Sequence, residues 1–180
     1  MREVNPNHQN TEIKKIIEYL IEFVKNPMQK ISQIPDWNWS SIIIVQITIA
    51  VASGVLAGLI KFNFYRVASG IFLMPFISTI TSALLSIFFY YYFQFFENKT
   101  ENFRKLFILV ILTSIPFYIF QIISEYFAPI SLVGVGFTCL LGVVGLTDNF
   151  NLPRKRAMQL MAVIFVITLV TWIFNRMTAH

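Results

Sequence analysis

Acidic side chains that could serve as general acids or bases stand between the long apolar segments of this sequence. The candidates are Glu97, Glu125 and Asp148. A catalytic carboxylate acts together with a base or a metal ion, and none of the three has such a partner in the sequence. The sequence also lacks the HExxH, GxSxG and phosphate-binding GxxxxGKS/T motifs. We therefore expect a protein that has no catalytic residues.

Metal-binding side chains are scarce and far apart. His8 and His180 lie near the two ends of the sequence, and the single cysteine, Cys139, lies inside an apolar segment. One cysteine cannot form an internal disulfide, and isolated ligands do not make a metal site. We expect neither a metal site nor a cofactor.

Uncharged polar side chains inside the apolar segments are a second kind of candidate. They could line a polar cavity for a lipid or a small solute; alternatively, their hydroxyls bond to their own helix or to a neighbouring helix. Ionisable side chains, which are typical of ion-coupled transport, are absent from the segment centres. The cavity candidates are Gln46, Thr79, Ser82, Thr113, Ser114, Gln121 and Thr168.

Five apolar segments carry these side chains. Hydrophobic residues make up 56% of the 180 residues, above the ~45 to 50% of soluble domains. At ~1.5 Å per residue, the segments can cross a hydrocarbon layer of ~30 Å. We predict an all-α fold, a polytopic membrane helical bundle with five transmembrane helices. The predicted N-terminal segment is 1–39, the membrane domain 40–176, the tail 177–180, and the spans 40–60, 68–90, 106–124, 130–146 and 157–175.

An amphipathic helix is predicted from Thr11 to Lys25, before the first span. Its apolar residues recur at spacings of three and four, and Asn26-Pro27 ends it. The helix could lie in the membrane interface or bind a protein partner; alternatively, it packs beneath the cytoplasmic face of the bundle. After the fourth span, Asp148 and Asn149 predict a loop over Thr147–Arg156.

Positive charge is distributed unevenly among the connecting segments. Of the fourteen Lys and Arg residues, eleven lie in the N-terminal segment and in the loops after spans two and four. The positive-inside rule then places the N-terminus in the cytoplasm and the C-terminus outside. The formal charge of +5 favours anionic lipid rather than nucleic acid, because the basic residues flank the spans. The predicted headgroup contacts are Lys14, Lys15, Lys25, Arg104, Lys105, Arg154, Lys155 and Arg156.

Small residues spaced by four indicate how the spans pack. Lipid tails are as apolar as leucine, so transmembrane helices associate through close packing and a few hydrogen bonds. Span four has the longest stripe of small residues, and we predict that it is the central helix. A homo-oligomer is left open. The predicted packing residues are Gly54, Gly58, Gly134, Thr138, Gly142 and Gly145.

Spans three to five resemble a known membrane family. The pattern comprises Asn102–Lys105, Ser114–Pro116, Gly142–Leu146 and Arg154–Ala157. It is similar to the Yip-domain family, the Ypt/Rab-interacting five-span membrane proteins, in its compact bacterial form, over Pro27 to Phe174.

The resemblance implies a membrane-organising or scaffolding role, since eukaryotic members act in vesicle traffic with Rab GTPases and coat components. Where those members carry a tyrosine- and glycine-containing cytoplasmic motif, this chain has Asp36–Trp39. Pro116, Gly142 and Gly145 match the family pattern as bundle-building positions.

Two functional hypotheses follow from the sequence. The first is a non-enzymatic protein of the bacterial inner membrane that organises or shapes the bilayer or scaffolds partners. The alternative is a passive pathway for lipid or a small solute, lined by the hydroxyls at mid-depth. Flux across proteoliposomes distinguishes the two.

Overall fold

The computed structural model of this chain describes the backbone of residues 6–124 and 126–178 and the side chains of residues 13–124 and 126–178. The predictions made for the side chains of His8, Glu125 and His180 lie outside the described residues. The described helices are α1 (Pro6–Lys25), α2 (Pro27–Ile31), α3 (Trp39–Ile60), α4 (Phe64–Phe96), α5 (Phe103–Ser124), α6 (Ile130–Phe150) and α7 (Arg154–Thr178).

The helices from α3 to α7 are long and apolar enough to cross a membrane. The prediction of an all-α bundle with five spans is confirmed. The helices extend past the charge-free runs from which the spans were predicted, because backbone hydrogen bonding continues beyond the hydrocarbon layer. At ~1.5 Å per residue, the 33 residues of α4 measure about 50 Å.

Asparagine residues mark several of the helix ends. The Asn38 side chain accepts a hydrogen bond from the Ser41 amide at the start of α3 (2.8 Å), and Asn63 does the same for Arg66 at the start of α4 (3.1 Å). Asn151 ends α6 in the left-handed conformation, at φ 51°. The loop predicted over Thr147–Arg156 is therefore too long, because its first part belongs to α6 and its last part, from Arg154, belongs to α7.

The central helix of the bundle is α5. Over its most apolar stretch 56% of α5 is buried, against 33% for α6. All residues from Leu106 to Thr113 are buried, as expected for a helix surrounded by others. The prediction that span four is central is wrong, because small residues mark where two helices approach closely and not how many helices surround one.

The other helices surround α5 on several sides. α3 and α4 form an antiparallel hairpin that packs on α5, α6 packs on another side of it, and α7 packs on α6. α2 contacts α5 and α6. The N-terminal segment therefore lies at the end of the bundle where α5 begins and α6 ends.

Candidate functional site

The N-terminal segment is fixed to the bundle by Asn149. Its side-chain oxygen accepts a hydrogen bond from the Ile34 amide (3.0 Å), and its amide nitrogen donates to the carbonyl of Ile31 (2.8 Å). The same nitrogen is 2.9 Å from the carbonyl of Gly145, on its own helix. Asn149 thus satisfies backbone groups at and just after the end of α2, where the regular helical hydrogen bonding stops.

Ion pairs connect other segments at this end of the molecule. Arg104 at the start of α5 binds Asp36 at 2.6 Å, and Arg156 at the start of α7 binds Glu97 at 2.6 Å. Glu97 is the more enclosed partner, since its side chain is 8% exposed. The pairs bring the N-terminal segment and the α4–α5 and α6–α7 connections to one end of the bundle, which we call the basic end.

α1 and α2 form a helical hairpin at the basic end. The Tyr19 hydroxyl donates to the carbonyl of Lys30 (2.9 Å), and partial burial raises the pKa of Tyr19 to about 12. Glu22 forms an ion pair with Lys30, and the hydrogen bond from Lys30 lowers the pKa of Glu22. These contacts hold α2 beneath the C-terminal half of α1.

The apolar face of α1 is divided lengthwise into two flanks. On one flank Ile16 and Leu20 pack against the core of the bundle, and Phe23 is only 1% exposed. The other flank is 51 to 60% exposed. This exposed flank consists of Ile13, Ile17, Ile21 and Val24. Packing beneath the bundle, one of the alternatives left open by the sequence, thus accounts for only part of the apolar face.

The basic residues predicted to meet lipid headgroups have different surroundings. Arg104 and Arg156 are held by Asp36 and Glu97, and Lys14 lies 4.0 Å from Glu18. Within residues 13–124 and 126–178, the remaining headgroup candidates are exposed and form no ion pair. They are Lys15, Lys25, Lys105, Arg154 and Lys155.

Two of the predicted packing glycines lie where α3 and α4 approach most closely. A Cβ atom on Gly54 would be 2.6 Å from the Cα atom of Gly70. A Cβ atom on Gly58 would be 2.6 Å from the backbone nitrogen of Val67. Both contacts are with backbone atoms, which cannot rotate away, so a larger residue at either position requires the helices to separate.

The packing candidates of α6 meet side chains. A Cβ atom on Gly142 would be 2.5 Å from the terminal methyl of Met161, and one on Gly145 would meet the Leu109 side chain. Gly134 faces Phe120, and the Thr138 hydroxyl is buried with no hydrogen-bond partner among the described residues.

The hydroxyls predicted to line a polar cavity bond largely to their own helices. Four of them donate to a carbonyl four residues earlier, at oxygen–oxygen distances of 2.7 to 2.9 Å. These four are Thr79, Thr113, Ser114 and Thr168. The Gln46 amide donates to the Ser82 hydroxyl at 3.3 Å across the α3–α4 interface.

Gln121 borders a small pocket at the opposite end of the bundle. The pocket has a volume of about 160 Å³ and lies beside Gly54 and Gly70. The side-chain oxygens of Gln121 and Gln46 have no hydrogen-bond partner among the described residues. A conducting cavity stays a prediction.

The acidic candidates for catalysis lie apart from one another where the structure describes them. Glu97 binds Arg156, and Asp148 is exposed near the end of α6. In the part of the chain that the structure describes, no three His, Cys, Asp or Glu side chains are grouped so that they could hold a metal ion. The expectation of a non-catalytic protein stays a prediction.

Several residues of the basic end were not recognised in the sequence. In the sequence Asn149 has the pattern of a turn former, and nothing near Asp36 or Glu97 indicates its basic partner. The pairs are separated by 68 and 59 residues, so no local pattern could have revealed them. Gly70 does carry a sequence signal, because a glycine near the start of span two could complement the small residues of span one.

A family model described as the Yip1 domain matches residues 21–175. The matched region begins within α1 and ends within α7, so it includes α2, the residues held by Asn149 and the bundle itself. No curated protein and no solved structure matches the chain.

Proposed function

We propose a function for this chain from the premise that it belongs to the Yip1 domain family, a membership that also confirms the resemblance seen in spans three to five. The chain is an integral membrane protein built as a helical bundle. The proposed role is to organise or shape the membrane, or to scaffold protein partners in it, without catalysing a reaction.

The observation that carries the proposal is the exposed flank of α1 at the basic end. An amphipathic helix that inserts shallowly between lipid headgroups adds area to one leaflet only. The exposed flank offers the apolar surface for such insertion, and Lys15 and Lys25 offer charge that attracts anionic headgroups. Because the Asn149 contacts and α2 hold the helix to the bundle, its insertion bends the bilayer around the spans.

The proposed location is the cytoplasmic membrane of a bacterium, with the basic end facing the cytoplasm. Support comes from the positive-inside rule, because eleven of the fourteen Lys and Arg residues lie before α3, between α4 and α5, or in the first turns of α5 and α7. In this orientation α1 acts on the cytoplasmic leaflet. The exposed flank is then also available to a cytoplasmic protein partner.

Reconstitution of the full-length protein tests the proposal. We expect vesicles that contain anionic lipid to become smaller or tubular as the protein-to-lipid ratio increases, measured as diameter distributions by electron cryomicroscopy. The double substitution Ile21→Asn and Val24→Asn, which removes apolar surface from the exposed flank, should return the diameters to those of protein-free vesicles.

Glu18→Gln provides the matched control on the polar side of α1, and it should behave as the wild type does. Wild-type vesicles with the same diameters as protein-free ones would contradict membrane shaping. The same vesicles loaded with a small fluorescent solute test the alternative role, since a protein without a pathway should cause no release above that of protein-free vesicles.

A further inference from the structure

An apolar groove separates the N-terminal half of α1 from the first turns of α3. Its volume is about 210 Å³. Apart from Ser41 and Thr48 the residues that line it are aliphatic, so the surface matches a hydrocarbon chain. Its walls include Ile13, Ile17 and Leu20 of α1 and Ile44, Thr48 and Ile49 of α3.

A second pocket of about 360 Å³ continues from the groove, and we call it the polar pocket because charged and polar side chains are among those that line it. Ile16 and Ser41 line both cavities, so the two meet at these residues. The walls of the polar pocket include Lys15 and the segment from Pro35 to Asn38. The combined space therefore has charged side chains at one end and almost only aliphatic ones at the other.

The position of the groove along α3 matches the outer part of the acyl-chain region. Residues 41–49 line it from the third to the eleventh residue of α3, so it ends about 15 Å along the helix axis from Trp39. Tryptophan prefers the headgroup region. Trp37 and Trp39 therefore place the polar pocket among the headgroups and the groove below them.

The charge of the polar pocket favours an anionic ligand. Its acid, Asp36, is neutralised by Arg104 at 2.6 Å. Lys15 is exposed and forms no ion pair with the side chains of residues 13–124 and 126–178. A phosphate group at Lys15 would supply the missing negative charge.

α1 is fixed to the rest of the molecule next to the groove. The ring of Tyr19 meets Trp37 edge to face at 5.4 Å, and its hydroxyl bonds to the Lys30 carbonyl. Phe23 is buried further along α1. These contacts fix the C-terminal half of α1 beside the groove.

We propose that the groove and the polar pocket form one binding site for an anionic glycerophospholipid, with its phosphate at Lys15 and one acyl chain between α1 and α3. The site goes beyond the proposed function, because a lipid can occupy it whether or not α1 bends the bilayer. A lipid bound in this site contacts both α1 and α3 and so holds α1 against the bundle.

Native mass spectrometry of the detergent-solubilised full-length protein tests this site. The protein is titrated with dioleoyl phosphatidylglycerol and, separately, with dioleoyl phosphatidylcholine, which has the same chains and no net charge. We expect the first bound phosphatidylglycerol to be retained more strongly than the first phosphatidylcholine. Lys15→Gln should weaken binding of the first phosphatidylglycerol roughly fivefold, as expected for the loss of one lysine beside an anionic lipid.

Substitution within the groove tests the acyl-chain half of the site. Ile44→Trp fills the groove and should weaken the first phosphatidylglycerol about tenfold or more. Ile17→Trp fills the groove from the α1 side. It is used in place of Ile44→Trp if the Ile44→Trp protein melts at a lower temperature than the wild type. Lys14→Gln and Ile47→Trp are the matched controls, because neither residue lines either cavity, and both should bind as the wild type does.

Several results would overturn the assignment. If the variants and their controls lose phosphatidylglycerol binding equally, the lipid binds nonspecifically around the bundle. Loss with Lys15→Gln but with neither groove variant would leave a surface contact with the headgroup and no acyl site. If phosphatidylcholine is retained as strongly as phosphatidylglycerol, the site does not require a negative charge. If the protein forms a dimer that has lost the bound lipid, the groove is occupied by a second copy of the chain. Vesicle diameters, measured separately, report on the proposed function and not on this site.

Discussion

At the residue scale, the glycines differ according to the atoms that they face. Gly54 and Gly70 face each other's backbone, whereas Gly142 faces the flexible end of Met161. Gly136 has nothing within 4 Å of the position that a Cβ would occupy. The sequence alone does not distinguish these glycines, because the atoms that each one faces depend on which helices meet.

Alanine substitutions should separate these environments. We expect Gly54→Ala and Gly70→Ala to lower the free energy of unfolding by about 1 to 3 kcal/mol, because the added methyl forces two backbones apart. Gly142→Ala should cost less, since the Met161 side chain can rotate away. Unfolding of the detergent-solubilised protein, followed by circular dichroism, measures the differences.

Gly136→Ala is the control on α6, where alanine also has the higher helix propensity. It should leave the stability unchanged or slightly raised. A Gly54→Ala protein as stable as Gly136→Ala would mean that the α3–α4 contact is not close in the membrane protein.

At the scale of elements, the segment between α2 and α3 depends on one side chain of α6. Asn149 supplies a donor to Ile31 and an acceptor to Ile34. Without it, the amide of Ile34 and the carbonyl of Ile31 lose their partners. The docking of α1 and α2 on the bundle is therefore coupled to the C-terminal turn of α6.

Asn149→Ala should release this segment. We expect faster amide hydrogen exchange over residues 31–38, corresponding to a loss of about 1 to 3 kcal/mol for backbone groups left without partners. The comparison is Asp148→Ala, one position earlier on the same helix, where the side chain is exposed. Unchanged exchange in Asn149→Ala would show that α2 is held by its apolar contacts alone.

At the scale of the whole molecule, the basic end is assembled from segments that are distant in sequence. The N-terminal segment, the end of α4 and the starts of α5 and α7 meet there through Asp36–Arg104 and Glu97–Arg156. If this end faces the cytoplasm, the connection between α3 and α4 faces the opposite side. Phe62 in that connection is 97% exposed.

Cysteine accessibility checks this orientation. In a Cys139→Ser background, a membrane-impermeant maleimide should label Phe62→Cys in intact cells. Thr100→Cys, placed in the exposed connection between α4 and α5, should react only after the membrane is permeabilised. The reverse pattern would place the N-terminus outside and would also reverse the leaflet on which α1 is proposed to act.

The sequence by itself determined the fold class, the five spans and the family. Long apolar runs can satisfy their backbone polar groups in a membrane only as helices, and this constraint acts along the chain without reference to any neighbour. The exact helix ends were less accessible, because asparagine caps and not charges determine where α3, α4 and α6 begin or end.

Only the tertiary structure decided which helix is central and how the amphipathic face of α1 is used. The periodicity of Ile13 to Val24 predicts an apolar face, but it cannot divide that face into a packed and an exposed flank. The division depends on where the bundle lies relative to α1, which Asn149 and Asp36 fix through partners more than 60 residues away. Burial and pairing depend on which residues are neighbours in space, and the local sequence pattern does not show which residues these are.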